Sequence, residues 1–159
     1  MNRPKPLVDL SDDDVDAVFD LNVKAAFFVT RHVAKRLLAM RLQGSIINVS
    51  SQMGAVGSPR RTLYCASKHA IEGMTKALAW ELGGAGIRVN TVCPTFIETD
   101  MTAGMFEDAS FRQWVLGGIA LGRLGRAEDV MGPIVFLASS ASSLVTDGSL
   151  MVDGGWTAA

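Results

Sequence analysis

Apolar residues recur at helical spacing after the polar run SDDD: Val15, Val18, Phe19, Ala26, Phe27, Val29 and Val33 fall on one stripe. Ser11 is a capping residue, and the three Asp after it suit the positive end of a helix dipole. The pattern predicts a helix from about Asp12 to Leu42, with Gly44 as its stop. Asn22 is the one polar residue in that stripe that asks for a reason, because a buried amide without partners is costly. The period then changes. GSIINVSS is a short β-branched run bounded by Gly and Ser, and predicts a buried strand over Ile46–Val49. After the loop QMGAVGSPRRT, helical character returns from about Leu63 to Leu82 and closes at Gly83-Gly84. IRVNTVC is a second strand, ending at Pro94. Thr95 to about Gly118 is mixed, with short helical pieces such as FRQWVL. AEDVMGPIVFLAS predicts another helix, kinked at Pro133 because proline removes a backbone donor. SLMV is a third strand, and DGG turns the chain after it.

Helix and strand alternating in this order predict an α/β chain with a parallel sheet and crossover helices. In such sheets ligands bind beyond the carboxyl ends of the strands. Ser51 lies just past the first strand, and Thr95 to Thr99 lie just past the second. The helix carrying Tyr64 and Lys68 begins on the same side, and Asn22 faces it from the preceding helix. Tyr64 and Lys68 are one turn apart, so their side chains leave the same helix face. Alone, Tyr-x-x-x-Lys reads as an exposed polar face; the convergence of four polar groups on one edge overturns that reading.

Composition narrows the options without adding a second theme. A chain of 159 residues suits one domain, and 48% apolar with 19% charged residues is an ordinary globular balance. Net charge is −1 with dispersed basic residues, which points to neither a nucleic-acid nor an anionic-membrane partner. No apolar run approaches a membrane span and the opening lacks a signal-peptide core, so a cytoplasmic location is expected. Cys65 and Cys93 offer no disulfide framework or metal-ligand spacing and read as buried free thiols; His32 and His69 read as structural.

The four groups suit proton transfer at a carbonyl or alcohol oxygen. An ordinary phenol has a pKa near 10, so Tyr64 needs help to act as a base at neutral pH. A shift of roughly 3 units corresponds to about 4 kcal/mol of differential stabilisation. A neighbouring ammonium supplies part of it, and a positively charged cofactor ring supplies more. Ser51 is placed to hold a substrate oxygen, and Asn22 with a water links Lys68 to solvent. Hydride transfer at a carbonyl requires this kind of proton handling.

At this point the sequence resembles the short-chain dehydrogenase/reductase family. The resemblance runs along essentially the whole chain: LNV at Asn22, GSIINVSS at Ser51, YCASK, GIRVNTVCPTFIETDM and the terminal VDGGWTA. It implies a catalytic tetrad of Asn22, Ser51, Tyr64 and Lys68, with Tyr64 as acid/base and Ser51 positioning the carbonyl. Lys68 would hold the nicotinamide ribose and lower the Tyr64 pKa. PTFIETDM resembles the nicotinamide-binding loop, so that Tyr64, Lys68, Pro94, Ile97 and Thr99 would meet the cofactor, NAD or NADP. Where the family usually has Pro-Gly, this chain has Pro94-Thr95. The implied substrate is a small carbonyl or alcohol compound, and the implied assembly is a homo-oligomer built on the two long helices.

Family members open with a strand and a Gly-rich turn that seats pyrophosphate at a helix N-terminus. Gly83, Gly84 and Gly86 are the densest cluster here, but they follow a helix and precede a strand, the reverse order. The expectation is therefore a single incomplete Rossmann-like domain over residues 1–159: the C-terminal, catalytic half of a doubly wound parallel sheet. Its first strand, Ile46–Val49, would be an uncovered edge that invites pairing with another chain. Two functions follow: an NAD(P)-dependent oxidoreductase, of 3-oxoacyl reductase or sugar/polyol dehydrogenase type, inactive as an isolated segment; or a non-catalytic chain that assembles with a full-length relative. Phe96, Met101, Met105 and Trp114 are candidates for the substrate side, with core filling the equal alternative for each.

Overall fold

A computed structural model describes residues 1–158; the Met101 side chain, one candidate for the substrate side, lies outside the described residues. Ser11 forms the expected capping box, its hydroxyl accepting from Asp14 N while the Asp14 carboxylate accepts from Ser11 N. Helix α1 (Asp12–Phe19) passes through a single π-helical turn (Asp20–Lys24) into α2 (Ala25–Met40). The stop is not Gly44. Arg41 adopts a left-handed conformation (φ 54°), with Arg41 N donating to Leu38 O (3.1 Å) and Leu42 N to Leu37 O (3.0 Å), the paired bonds of a Schellman ending. Gly44 opens the first strand instead, where a Cβ would stand 2.8 Å from a Leu37 methyl.

The π turn also re-phases the apolar stripe. Val18 is fully buried, but Phe27, Val29 and Val33 face outward, and the buried residues of α2 are Thr30 and Ala34. An extra residue in one turn rotates everything downstream by about a quarter turn, which a constant 3.6-residue period does not anticipate.

Three strands follow the predicted order: β1 (Gly44–Val49), β2 (Ile87–Pro94) and β3 (Ser149–Val152). They form a parallel sheet in the order β1-β2-β3, with Ile46 opposite Val89 and Val92 opposite Leu150. Helix α3 (Thr62–Gly83) and α2 cover one face, and α6 (Ala127–Ala138, with Pro133 inside it) packs on the other, where Leu137 O accepts from Ser45 and Arg88. Between α2, α3 and the sheet lies a core of Ala34, Ile46, Leu82, Ile87 and Val89. The central strand β2 is buried along nearly its whole length, as a parallel strand covered on both faces should be. As expected, β1 pairs only with β2 and has a free edge, and Val49 at its end is 58% exposed.

Beyond β2 the chain forms α4 (Asp100–Ala103) and α5 (Ala109–Gly118). A second apolar cluster holds this segment down: Val115, Ile119 and Leu124, with Phe96, Phe106, Phe111 and Trp156 against them. Phe96 sits edge-on to Phe106, Phe111 and Trp114 at 5.9–6.5 Å between ring centroids. Phe96 thus belongs to the buried aromatic cluster, favouring core filling for it, whereas Trp114 at its rim is 48% exposed.

Candidate active site

The four candidates come to the carboxyl edge of the sheet by different local routes. Ser51 follows the end of β1 directly, is buried, and accepts from Met53 N (3.2 Å) while its own hydroxyl reaches Pro94 O (3.5 Å). Tyr64 and Lys68 project from the first two turns of α3, with the Lys68 ammonium 5.6 Å from the Tyr64 ring centroid. Lys68 Nζ donates to Val49 O (3.0 Å), which ties it to the end of β1. Asn22 is delivered by the π turn, a backbone feature that recurs at functional sites. Its amide donates to Ser67 Oγ (3.0 Å) and to Met1 O (2.8 Å), and its oxygen accepts from the Met1 amino group (2.8 Å). The Asn22 side chain therefore addresses α3 through Ser67, one residue before Lys68, and makes no direct bond to the ammonium.

Burial pushes the Tyr64 phenol above its ordinary value, and the nearby Ser51 hydroxyl pulls it part of the way back, although the Ser51 hydrogen bonds themselves go to Met53 and Pro94. Burial lowers the Lys68 ammonium, with Cys93 and Glu72 opposing. The phenol is thus held protonated at neutral pH. A proton donor is what a carbonyl oxygen needs during reduction.

Glu72 was missed from the sequence. It is one turn beyond Lys68, so 64, 68 and 72 form a single row on α3. Its carboxylate accepts from Thr91 Oγ1 (3.0 Å), Ser149 Oγ (2.6 Å) and Cys93 Sγ (3.5 Å), stapling α3 to β2 and β3 below the site. Desolvation, above all, pushes the Cys93 thiol up to about 11, which fits an inert buried thiol. Cys65 is free but only half-buried. His32 and His69 each bond the carbonyl four residues back, at 2.7 and 2.9 Å, consistent with structural roles.

The loop after β2 is closed on itself. Ile97 O accepts from Thr102 Oγ1 (2.6 Å), Thr99 Oγ1 shares a hydrogen bond with the same hydroxyl (3.2 Å), and Ile97 bridges to Gly125. A cavity of about 510 Å³ lies behind it, lined among others by Thr95, Gly125, Val152 and Asp153, and touches neither Ser51 nor Tyr64.

Buried polar atoms without a partner gather at this same edge. They are Ser50 Oγ, both amide atoms of Gln52, Arg61 Nη1, Thr95 Oγ1, and Asn2 Oδ1 beside the Met1–Asn22 pair. All lie in the opening segment, in the loops beyond β1 and β2, or at the start of α3. Water or a polar ligand at this edge would satisfy these groups. The residues fit the nicotinamide-ribose end of a dinucleotide: Lys68 spends one bond on Val49 and keeps further N–H groups, over the Tyr64 ring. They do not supply a phosphate cradle. Gly83 and Gly86 line a surface at the opposite, amino end of the strands. Among the described residues no group of three or more His, Cys, Asp or Glu is placed to hold a metal, and no helix is long and apolar enough to cross a membrane.

A parallel sheet clad by helices on both faces, with Asn, Ser, Tyr and Lys at its carboxyl edge, is the arrangement of a dehydrogenase of the doubly wound class. The family model described as enoyl-(acyl carrier protein) reductase matches residues 1–157, and the chain belongs to that family, within the short-chain dehydrogenases/reductases. It is 46% identical over 155 residues to a 3-oxoacyl-[acyl-carrier-protein] reductase of Thermotoga maritima, covering 98% of this chain and 62% of that protein. It is 42% identical to a (3R)-3-hydroxyacyl-CoA dehydrogenase of Canis lupus familiaris, covering 98% and 59%. A solved structure from Agrobacterium tumefaciens, described as a 2-deoxy-D-gluconate 3-dehydrogenase with bound NADP, superposes with a TM-score of 0.97 at 41% identity, covering 100% of this chain and 65% of that one. The chain thus spans about 60% of the length of the curated relatives it matches.

Proposed function

We propose that residues 1–159 are the catalytic half of an NAD(P)-dependent oxidoreductase that reduces a ketone or oxidises a secondary alcohol. The observation that carries this reading is the convergence of Ser51, Tyr64 and Lys68, together with the orphaned polar atoms, at the carboxyl edge of a parallel sheet. The bound nicotinamide supplies or accepts the hydride. Tyr64 gives its proton to the substrate oxygen in reduction and takes it back in oxidation. Ser51 holds that oxygen within reach of the phenol. Lys68 binds the ribose and stabilises the phenolate that remains after the proton has left, and Asn22 orders the start of the relay through Ser67. Pro94, Ile97 and Thr99 bound the nicotinamide pocket, with the Thr102 hydroxyl fixing the loop. The names of relatives, a 3-oxoacyl-[acyl-carrier-protein] reductase and a 2-deoxy-D-gluconate 3-dehydrogenase, support a small carbonyl or alcohol compound as the substrate.

A second reading is favoured by the free edge of β1 and by the outward-facing Phe27, Phe28, Val29 and Val33 of α2: a chain that assembles with a longer relative. The exposed row also supports a homo-oligomer for the enzyme itself. The readings separate in one assay. A polypeptide joining residues 1–159 to a Gly-rich phosphate-binding half should consume NADPH or NADH, seen by loss of nicotinamide absorbance with a 3-oxo substrate. A folded joined protein that binds cofactor but consumes none across acyl, sugar-acid and polyol substrates would refute the enzymatic reading.

A further inference from the structure

The loop GSPRRT reaches α3 through a turn around Pro59 and Arg60, closed by Arg61 N donating to Ser58 O (3.2 Å). Arg60 takes a left-handed conformation there (φ 60°) and its guanidinium reaches outward to Pro4 O (3.5 Å). Arg61 caps α3 and turns inward: only 8% of the residue is exposed, and Nη1 is buried with no partner. The ion pairs recorded among the described residues involve Arg3, Lys5, Lys24 and Arg123, not Arg61.

A guanidinium taken out of water without a counter-charge costs several kcal/mol. Of the charged side chains that bear on it, Arg60 is of the same sign, and the Tyr64 phenol, raised by burial, stays protonated near pH 7. Burial and Arg60 lower its proton affinity, as an uncompensated cation requires. The positive end of a 22-residue helix lies at the same place. The helix end and Arg60 both favour an anion at Arg61, and no ion pair among the described residues supplies one.

We propose that Arg61 anchors a carboxylate of the substrate beside Tyr64, so that the compound taken by this site is a hydroxy acid or oxo acid. This rests on the oxidoreductase reading above and names its substrate class. The order along the chain selects substrate over cofactor as the source of the anion. Tyr64 lies between Arg61 and Lys68, three residues from the first and four from the second, about 4.5 and 6 Å along the helix axis. With the ribose at Lys68, the Arg61 end is left for the part of the substrate remote from the cofactor. Arg suits this task because its planar fork matches a carboxylate bidentately.

The test is a calorimetric titration of the 159-residue chain with D-gluconate, with D-glucitol, and with sulfate. Glucitol keeps the polyol and lacks the carboxylate; sulfate keeps only the charge. The expected result is binding of gluconate at least about tenfold tighter than either, a preference of about 1.4 kcal/mol. Arg61→Gln should remove that preference and Arg61→Lys should keep part of it. Equal binding of gluconate and glucitol, absence of gluconate binding, or an unchanged preference in Arg61→Gln would overturn the proposal. Sulfate binding as tightly as gluconate would show a general anion site and overturn it too. The wild-type comparison stands even if Arg61→Gln fails to fold. None of these outcomes involves hydride transfer, so the site's failure is distinguishable from failure of the oxidoreductase reading, which the joined polypeptide tests by cofactor consumption.

Discussion

Tyr64→Phe, in a polypeptide that joins residues 1–159 to a phosphate-binding half, is expected to lower kcat by at least about 10²–10⁴-fold while cofactor affinity stays within about twofold. The substitution removes one oxygen and leaves the ring, and the ring is what packs beside Lys68. Lys68 keeps its bond to Val49 O, so the ribose side of the site is unchanged. The loss should appear equally in kcat and kcat/KM, because the proton is needed only as the bond to the substrate oxygen changes. The check is steady-state turnover beside a cofactor titration. Turnover retained within tenfold would remove Tyr64 from the acid/base role.

Ser51→Ala should cost less, about 2–4 kcal/mol of transition-state stabilisation, or about 30- to 10³-fold in kcat. Ser51 is buried at the end of β1, and two elements depend on its oxygen: Met53 N donates to it and it reaches Pro94 O across to β2. The loss combines a missing hydrogen bond to the substrate oxygen with a small shift of the loop. Ser51→Thr separates the two, since it keeps the hydroxyl; turnover should recover at least tenfold over Ser51→Ala. Equal turnover in the Ala and Thr variants would mean that Ser51 shapes the loop and does not touch the substrate.

Much of the framework was legible because it rests on local signals. The Ser11–Asp14 capping box, the β-branched runs at Ile46 and Val89, and the Tyr64–Lys68 spacing are properties of a few neighbouring residues, and each appears where the pattern places it. The misses depend on tertiary packing. The π turn that presents Asn22 has no local signature, and it re-phases the expected inner face of α2. The helix end at Arg41 replaced a glycine stop because Leu37 needs the space at Gly44. Glu72 was visible as the third member of a row spaced by four, but its meaning came from Thr91, Cys93 and Ser149 on two other strands. The two arginines of GSPRRT are alike in sequence; only the fold shows that Arg60 points out and Arg61 is buried. The burial that raises the Tyr64 phenol likewise comes from the packed fold and not from the Tyr64–Lys68 spacing.

Tyr64 is the only tyrosine in the chain, so phenolate absorbance reports on a single group. The most direct test of the account is a spectrophotometric pH titration of that absorbance in the free chain and at saturating oxidised nicotinamide mononucleotide. The account predicts a phenol that ionises above its ordinary value when free, because it is buried. With the positively charged ring bound beside it, the midpoint should fall by about 1 unit or more. A titration that does not move with the nucleotide at any concentration would contradict the placement of the nicotinamide against Tyr64, and with it the assignment of this edge as the site of hydride transfer.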